Sequence, residues 1–251
     1  MPVALNWEFY ALYALIGLLA GLLGGLLGIG GGLIIVPALL YAFQAQQFVT
    51  GIQMHLAVAT SLAAIVFTSA SSALAHHRRG AVLWKPVGML VPGILIGGAT
   101  GAAMTGYLPD EVLRITFGIF ECAVAWQVAR GFAPASRREL PTFPLLSVAG
   151  GGIGAASAVL GIGGGTFIVP FLVWCNIDIR KAVATSSACG LPIALAGGGG
   201  MVLAGWDRPG LPELATGIVY WPAALAIACT SVFAAPIGAW LAHTLPVAAL
   251  R

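Results

Sequence analysis

The sequence predicts an all-α transmembrane protein: two tandem repeats, inverted relative to each other, of about five helical segments each. The second repeat is expected to lack its last helix, which makes about nine segments. Three observations predict this fold: the scarcity of charge, several apolar runs of membrane-spanning length, and an internal duplication.

Charged residues make up 8% of the 251 residues and hydrophobic ones 59%, with a mean hydropathy of +0.99. A soluble domain carries about 25% charged residues. Too little charge remains here to cover a globular surface, so the apolar exterior must face a lipid bilayer. The net charge of +3 is small and scattered, which excludes a nucleic-acid footprint. Cys122, Cys175, Cys189 and Cys229 stand singly in or near apolar runs. That is the pattern of small packing residues and not of a zinc site; neither a metal nor a cofactor is expected.

A helix crosses a bilayer with about 20 apolar residues. The stretches 9–28, 56–75, 86–108, 182–206 and 214–242 meet that length with no charge inside. The start of the chain has Glu8 and no Lys or Arg before its first apolar run, so it lacks the positive region of a removable signal peptide.

The duplication is read from landmarks that keep their order. Residues 27–39 read LGIGGGLIIVPAL and residues 160–172 read LGIGGGTFIVPFL, identical at ten of thirteen positions. Ala57-Val58-Ala59-Thr60-Ser61 matches Ala182-Val183-Ala184-Thr185-Ser186, and Leu108-Pro109…Leu113-Arg114 matches Leu245-Pro246…Leu250-Arg251. The chain therefore divides into a first repeat at 9–131, a linker at 132–142 and a second repeat at 143–251, together one membrane domain. The first repeat contains segments 9–28, 33–43, 55–75, 82–106 and 111–129; the short second segment has its partner at 166–175.

Lys and Arg mark cytoplasmic loops. Arg78, Arg79 and Lys85 define one, Arg130, Arg137 and Arg138 the next, and Arg180 and Lys181 a third. All three fall on one side if 143–161 and the short 166–175 segment both cross, which inverts the second repeat. Re-entrant short segments would give four crossings per repeat and parallel repeats. Trp7, Trp84, Trp206 and Trp221 fall near span ends, as an aromatic belt does. His55 is aligned with Lys181 and read as interfacial, His76 and His77 as part of a solvated basic loop, and His243 as a helix-end residue near an interface.

The GIGGG segments carry the candidate site. Gly28, Gly30, Gly31 and Gly32 with Pro37, and Gly161, Gly163, Gly164 and Gly165 with Pro170, interrupt the helical pattern. Glycine costs about 1 kcal/mol against alanine inside a helix. A residue before proline is biased to extended geometry, so Val36 and Val169 are expected to be extended and short helices to begin at Pro37 and Pro170. Bare backbone inside a membrane is tolerated only where protein or a water-filled cavity satisfies it. Two matching breaks in two repeats are the sequence mark of a transport site. Glycine amides at helix starts favour an anion. Thr60, Ser61, Thr166, Thr185, Ser186 and Ser187 add neutral hydroxyl donors suited to oxyanion oxygens. The four-residue glycine spacings at Gly17/Gly21/Gly25 and Gly93/Gly97/Gly101 are instead read as helix packing. Glu121 is the one carboxyl in mid-span, a candidate proton carrier coupling transport to the proton gradient.

These features resemble the sulfite exporter TauE/SafE family over about residues 9–251: the duplicated GIGGG-hydrophobic-VP signature, the Ala-Thr-Ser triplet after it, and the Leu-Pro…Leu-Arg helix start. The resemblance implies a multi-pass permease of a prokaryotic plasma membrane. It would export sulfite, a sulfonate or a similar small anion, driven by the proton gradient and bound at Gly28 to Pro37, Gly161 to Pro170, Thr60-Ser61 and Thr185-Ser186. A homo-oligomer is compatible with it. The alternatives are a passive anion channel and an accessory membrane subunit of a larger complex. An enzyme is not expected: no His-Glu-x-x-His, no Gly-x-Ser-Gly elbow and no nucleotide-binding Gly-x-x-x-x-Gly-Lys-Ser/Thr loop is present.

Overall fold

Nine helices and one small β-hairpin form the described residues of the computed structural model, which are 7–130, 139–206, 208 and 210–246. The first half contributes α1 (Trp7–Leu27), α2 (Gly32–Ala45), α3 (Gln53–His77), α4 (Trp84–Tyr107) and α5 (Asp110–Ala129). The second contributes α6 (Phe143–Leu160), α7 (Gly165–Trp174), α8 (Ile179–Ala204), the hairpin β1 (Ala215–Thr216) and β2 (Val219–Tyr220), and α9 (Trp221–Thr244). Arg137, Arg138, most of the expected linker and the final Leu250-Arg251 lie outside the described residues.

Among the described residues, six helices are long and apolar enough to cross a membrane: α1, α3, α4, α6, α8 and α9. The chain is thus a multi-pass helical membrane protein. α5 has 20 residues but carries Asp110, Glu111, Arg114 and Glu121; α2 and α7 are apolar and shorter. Within the bundle α3 is central, with 78% of its apolar window buried against 33–50% for the other five.

Small residues set the helix packing. A Cβ built on Gly17 would lie 2.3 Å from Ile227 O, and one on Gly25 2.1 Å from Ala235 O, so α1 and α9 touch backbone to backbone. Gly93 meets Ser147 O at 1.7 Å and Gly97 meets Gly151 O at 1.9 Å in the same way, joining α4 to α6. Both glycine stripes thus do what their spacing predicts.

The contacts also give helix directions. Along α1 and α9 the partners rise together, Gly17 with Ile227, Gly21 with Ser231, Gly25 with Ala235. α4 and α6 likewise run parallel. α3 and α8, equivalent helices of the two halves, run antiparallel: Leu62 meets Gly197, Ser69 meets Gly190, and Ser72 meets Ser187. α2 doubles back along α1, with Gly31 against Ala20 and the Gln46 amide donating to the Tyr13 hydroxyl. The two helices form an antiparallel hairpin, and α3 starts at the same end of the bundle as α1, the direction that the expected crossing of the short segment requires.

The ends of the bundle differ in charge. Arg78, Arg79, Lys85, Arg180, Lys181 and His243 gather at one end, where the Arg180 guanidinium donates to Leu245 O at 2.9 Å and His76 meets His243. At the other end Phe43, Phe48 and Tyr220 pack ring against ring, near Asp110.

Three expectations are corrected. The broken-helix segments restart at Gly32 and Gly165, not at the prolines, and Val36, Pro37, Val169 and Pro170 are all helical. Gly31 and Gly164 take left-handed φ values of 81° and 74°, and their carbonyls accept the first helical bonds from Ile35 and Ile168. The turn is thus complete before proline removes one donor. His55 is fully buried rather than interfacial. Its Nδ1 lies 3.2 Å from Asp110 Oδ1, and its Nε2 lies 3.1 Å from both Thr105 O and Leu108 O. Its equivalent is Arg180, not Lys181, because Arg180 holds the matching carbonyl of Leu245. His76 is also fully buried, while His77 is exposed against Trp84.

Candidate functional site

The two breaks meet at the centre of the protein. Gly28, Gly30 and Gly31 in the first, Gly161 and Gly164 in the second, have positive φ between 70° and 81°, a conformation that glycine adopts without strain. Each break ends one helix and starts another, so the first amides of α2 and α7 have no partner within their own helices and carry the positive end of the helix dipole.

The contacts across the centre are reciprocal. A Cβ on Gly30 would lie 2.8 Å from Gly163 Cα, and one on Gly163 2.9 Å from Gly30 Cα. Gly165 abuts Gly28 O, and Gly32 abuts the equivalent Gly161 O. The Ser61 hydroxyl of α3 donates to Gly161 O at 2.8 Å, while the Ser186 hydroxyl of α8 donates to Gly28 O at 3.0 Å. One step earlier, Thr60 Oγ1 accepts from Tyr220 N at 3.0 Å and Thr185 Oγ1 accepts from Leu83 N at 3.1 Å. Every one of these bonds joins one half to the other, and each has its exchanged counterpart. Four of the expected hydroxyls thus serve backbone groups that would otherwise be unpaired in an apolar interior, where each costs several kcal/mol.

Ser187 differs. Together with Gly24, Gly28, Gly30, Gly163, Gly190 and the α3 hydroxyls of Thr68, Ser69 and Ser72, it lines a narrow gap beside the breaks. The gap is too narrow for a water molecule. Ser72 Oγ lies 3.1 Å from Ser187 Oγ, and Thr68 Oγ1 2.7 Å from Ser231 Oγ. Thr68, Ser69 and Ser72 were missed from sequence, although a stripe of hydroxyls at three- and four-residue spacing within an apolar helix is a legible signal.

Two enclosed hydroxyls have no hydrogen-bond partner among the described residues, those of Thr166 and Ser157. Thr166 was an expected site residue. Ser157 was not; it is fully buried on α6 and faces Gly164, whose built Cβ would lie 3.3 Å from its Oγ. By the glycine-signature register it is the counterpart of Gly24, which lines the space in the first half. Pro37 and Pro170 sit within α2 and α7, behind the glycines. Glu121 is not at this centre: it lies on α5 in a groove with Leu33, Cys122, Val124 and Ala125. No group of three or more His, Cys, Asp or Glu suited to a metal ion occurs among the described residues.

The family model described as "Sulfite exporter TauE/SafE" matches residues 13–251. A "Probable membrane transporter protein" of Haemophilus influenzae is 39% identical over 247 residues, 97% of this chain and 92% of that one. YdhB of Bacillus subtilis, also named a probable membrane transporter protein, is 30% identical over 203 residues, 78% of this chain and 80% of its own. A Methanocaldococcus jannaschii protein of the same description is 28% identical over 204 residues, 79% of this chain and 75% of its own. No solved structure matches the chain. With a spanning-helix bundle closed around two glycine breaks and a family match over nearly its whole length, the chain belongs to the TauE/SafE sulfite exporter family of multi-pass membrane transporters.

Proposed function

We propose that the protein is an inverted-repeat carrier of a small sulfur-containing oxyanion, sulfite or a sulfonate, and that the paired glycine breaks hold the anion near the middle of the membrane. The observation that carries this reading is the reciprocal contact of the two breaks around the Gly30–Gly163 touch, beside a hydroxyl-lined space. Equivalent helices α3 and α8 running in opposite directions support the inversion. The clustering of Arg78, Arg79, Lys85, Arg180 and Lys181 at one end supports placing that end in the cytoplasm.

The chemistry follows from the donors. Amides at the starts of α2 and α7 and the unpartnered hydroxyls of Thr166 and Ser157 can each give a hydrogen bond to an oxyanion, and Ser72 and Ser187 can do so by turning from their present acceptors. None is a fixed charge, so binding is shared among weak donors and release stays easy. A gap too narrow for water favours a carrier, which opens to one face at a time, over a standing pore. Small movements of the two hairpins about their common contact would exchange access between the faces.

Coupling to the proton gradient is part of the proposal, with Glu121 as the mid-span carboxyl that the sequence offers. A Glu121→Gln variant that transports with an unchanged response to the gradient would remove it from that role. Anion binding is testable without flux. A ligand that binds only the folded protein stabilises it by RT ln(1 + [L]/Kd). Sulfite or a sulfonate should raise the unfolding temperature of the detergent-purified protein in a saturable way, and chloride at equal ionic strength should not. Equal shifts with every salt would contradict a selective oxyanion site.

A further inference from the structure

The hydroxyl stripe of α3 does not stop at Ser72. One turn further on the same face, about 5 Å along the axis, comes His76, fully buried. Its Nε2 lies 3.0 Å from the carbonyl of Gly25 on α1, next to Gly24, which lines the central space. Its Nδ1 lies 3.1 Å from Nε2 of His243 on α9. This pair stands between the enclosed hydroxyls and the basic end of the bundle.

The partners fix where the protons sit. Gly25 O can only accept, so His76 carries its hydrogen on Nε2 and its Nδ1 is an acceptor. His243 must then donate from Nε2, which leaves His243 Nδ1 as the free basic nitrogen. A proton taken up there keeps both hydrogen bonds and places one positive charge on the pair. Around it α1 offers only the Gly25 carbonyl, the end of α3 brings Arg79, and the start of α8 brings Arg180 and the carboxylate of Asp178. Both arginines are engaged with helix-end carbonyls, Arg79 with Ala75 O and Arg180 with Leu245 O.

We propose that the His76–His243 pair is a proton-carrying element of transport in addition to Glu121: one proton on the pair supplies a positive charge that the hydroxyl-lined gap lacks, so that a monovalent oxyanion and a proton are bound together. The inference rests on the anion-carrier reading and adds a second coupling site. A lone anion among neutral hydroxyls in an apolar interior is costly, and a positive charge on the pair, on the basic side of Ser72, offsets part of that cost. The proton enters from the basic end, through the less buried His243, and the fully buried His76 stands between it and Ser72, one turn earlier on α3.

The test uses methanesulfonate, whose charge does not change over the range. Uptake by proteoliposomes of the wild-type chain should rise as the pH falls from about 7 to about 4, since burial and the nearby Arg79 and Arg180 oppose a charge on the pair until the medium is acidic. His76→Gln and His243→Gln should flatten that dependence, while Gly199→Ala, with open space beside it, should keep it. A wild-type slope retained in both histidine variants overturns the proposal. A second readout needs no transport: Ser72→Cys is labelled with a sulfonate-bearing and a trimethylammonium-bearing methanethiosulfonate, over the background of the native cysteines. Their ratio cancels the pH dependence of the thiol. The ratio should shift toward the anionic reagent by about tenfold on acidification and should not shift when His76→Gln is added. A ratio independent of pH with both histidines present overturns the proposal; a shifting ratio with no methanesulfonate uptake supports the pair and contradicts only the choice of anion.

Discussion

Gly30 and Gly163 touch at the point where the two halves exchange their contacts, each leaving no room for a Cβ on the other. The two are not equivalent as test sites. Gly30 also has a φ of 73°, while Gly163 is not among the positive-φ glycines. Gly163→Ala therefore probes close approach alone. It should lower stability by about 1–3 kcal/mol, the cost of overpacking, and Gly30→Ala should cost more because left-handed backbone is added. Gly199→Ala, on α8 with nothing within 4 Å, should behave as wild type or be slightly more stable. Thermal unfolding of the three purified variants checks the order.

Ser61 and Ser186 should be worth about the same, because each donates to the carbonyl of the other half's break. Replacing either with alanine leaves a buried carbonyl without that donor, a loss of about 1–3 kcal/mol. The double variant should lose roughly the sum. Denaturation of the two single variants and the double measures it; a loss at one serine and none at the other would contradict the two-fold relation.

Asp110 fastens the start of α5 to the start of α3. Its Oδ1 accepts from Met54 N at 2.7 Å and meets His55 Nδ1, and both side chains are buried. Removing one member of such a pair typically costs about 3–5 kcal/mol. Asp110→Ala and His55→Ala should each destabilise the protein by about 3 kcal/mol or more, at the low end of that range. Arg114→Ala should cost under about 1 kcal/mol, since that side chain is half exposed and its bond to Asp110 is long. Detergent-solubilised melting curves would rank them.

Lys85 and Lys181 should react with a membrane-impermeant amine reagent from the cytoplasmic face only. Labelling of Lys181 from outside intact cells, with Lys85 protected, would separate residues that the bundle holds at one end and would defeat the inverted arrangement.

Much of this was legible in sequence for simple reasons. Lipid demands long uncharged runs, so the spans were plain, and the duplication gave the pairing of α1–α4 with α6–α9. The glycine breaks were legible because glycine is costly in a helix. What failed was local. Proline suggested a helix start at Pro37, but glycine turns at Gly31 and Gly164 had already supplied one. His55 and His76 read as interfacial or solvated because their partners, Asp110 and His243, lie 55 and 167 residues away. Of the expected hydroxyls, Ser61 and Ser186 reach the breaks, while Thr60 and Thr185 hold the amides of Tyr220 and Leu83. Only the folded chain reveals that they bond backbone groups of the opposite half, while Thr68 and Ser69, which bond carbonyls of their own helix, line the gap with Ser72.

The most direct measurement is sulfite uptake by proteoliposomes of the purified protein, with and without an imposed pH gradient and with sulfonates and sulfate as competitors. A carrier predicts saturable uptake that responds to the gradient, is competed by sulfonates and is lost in Gly163→Ala. Uptake indistinguishable from empty liposomes, or linear and indifferent to the gradient, would contradict it.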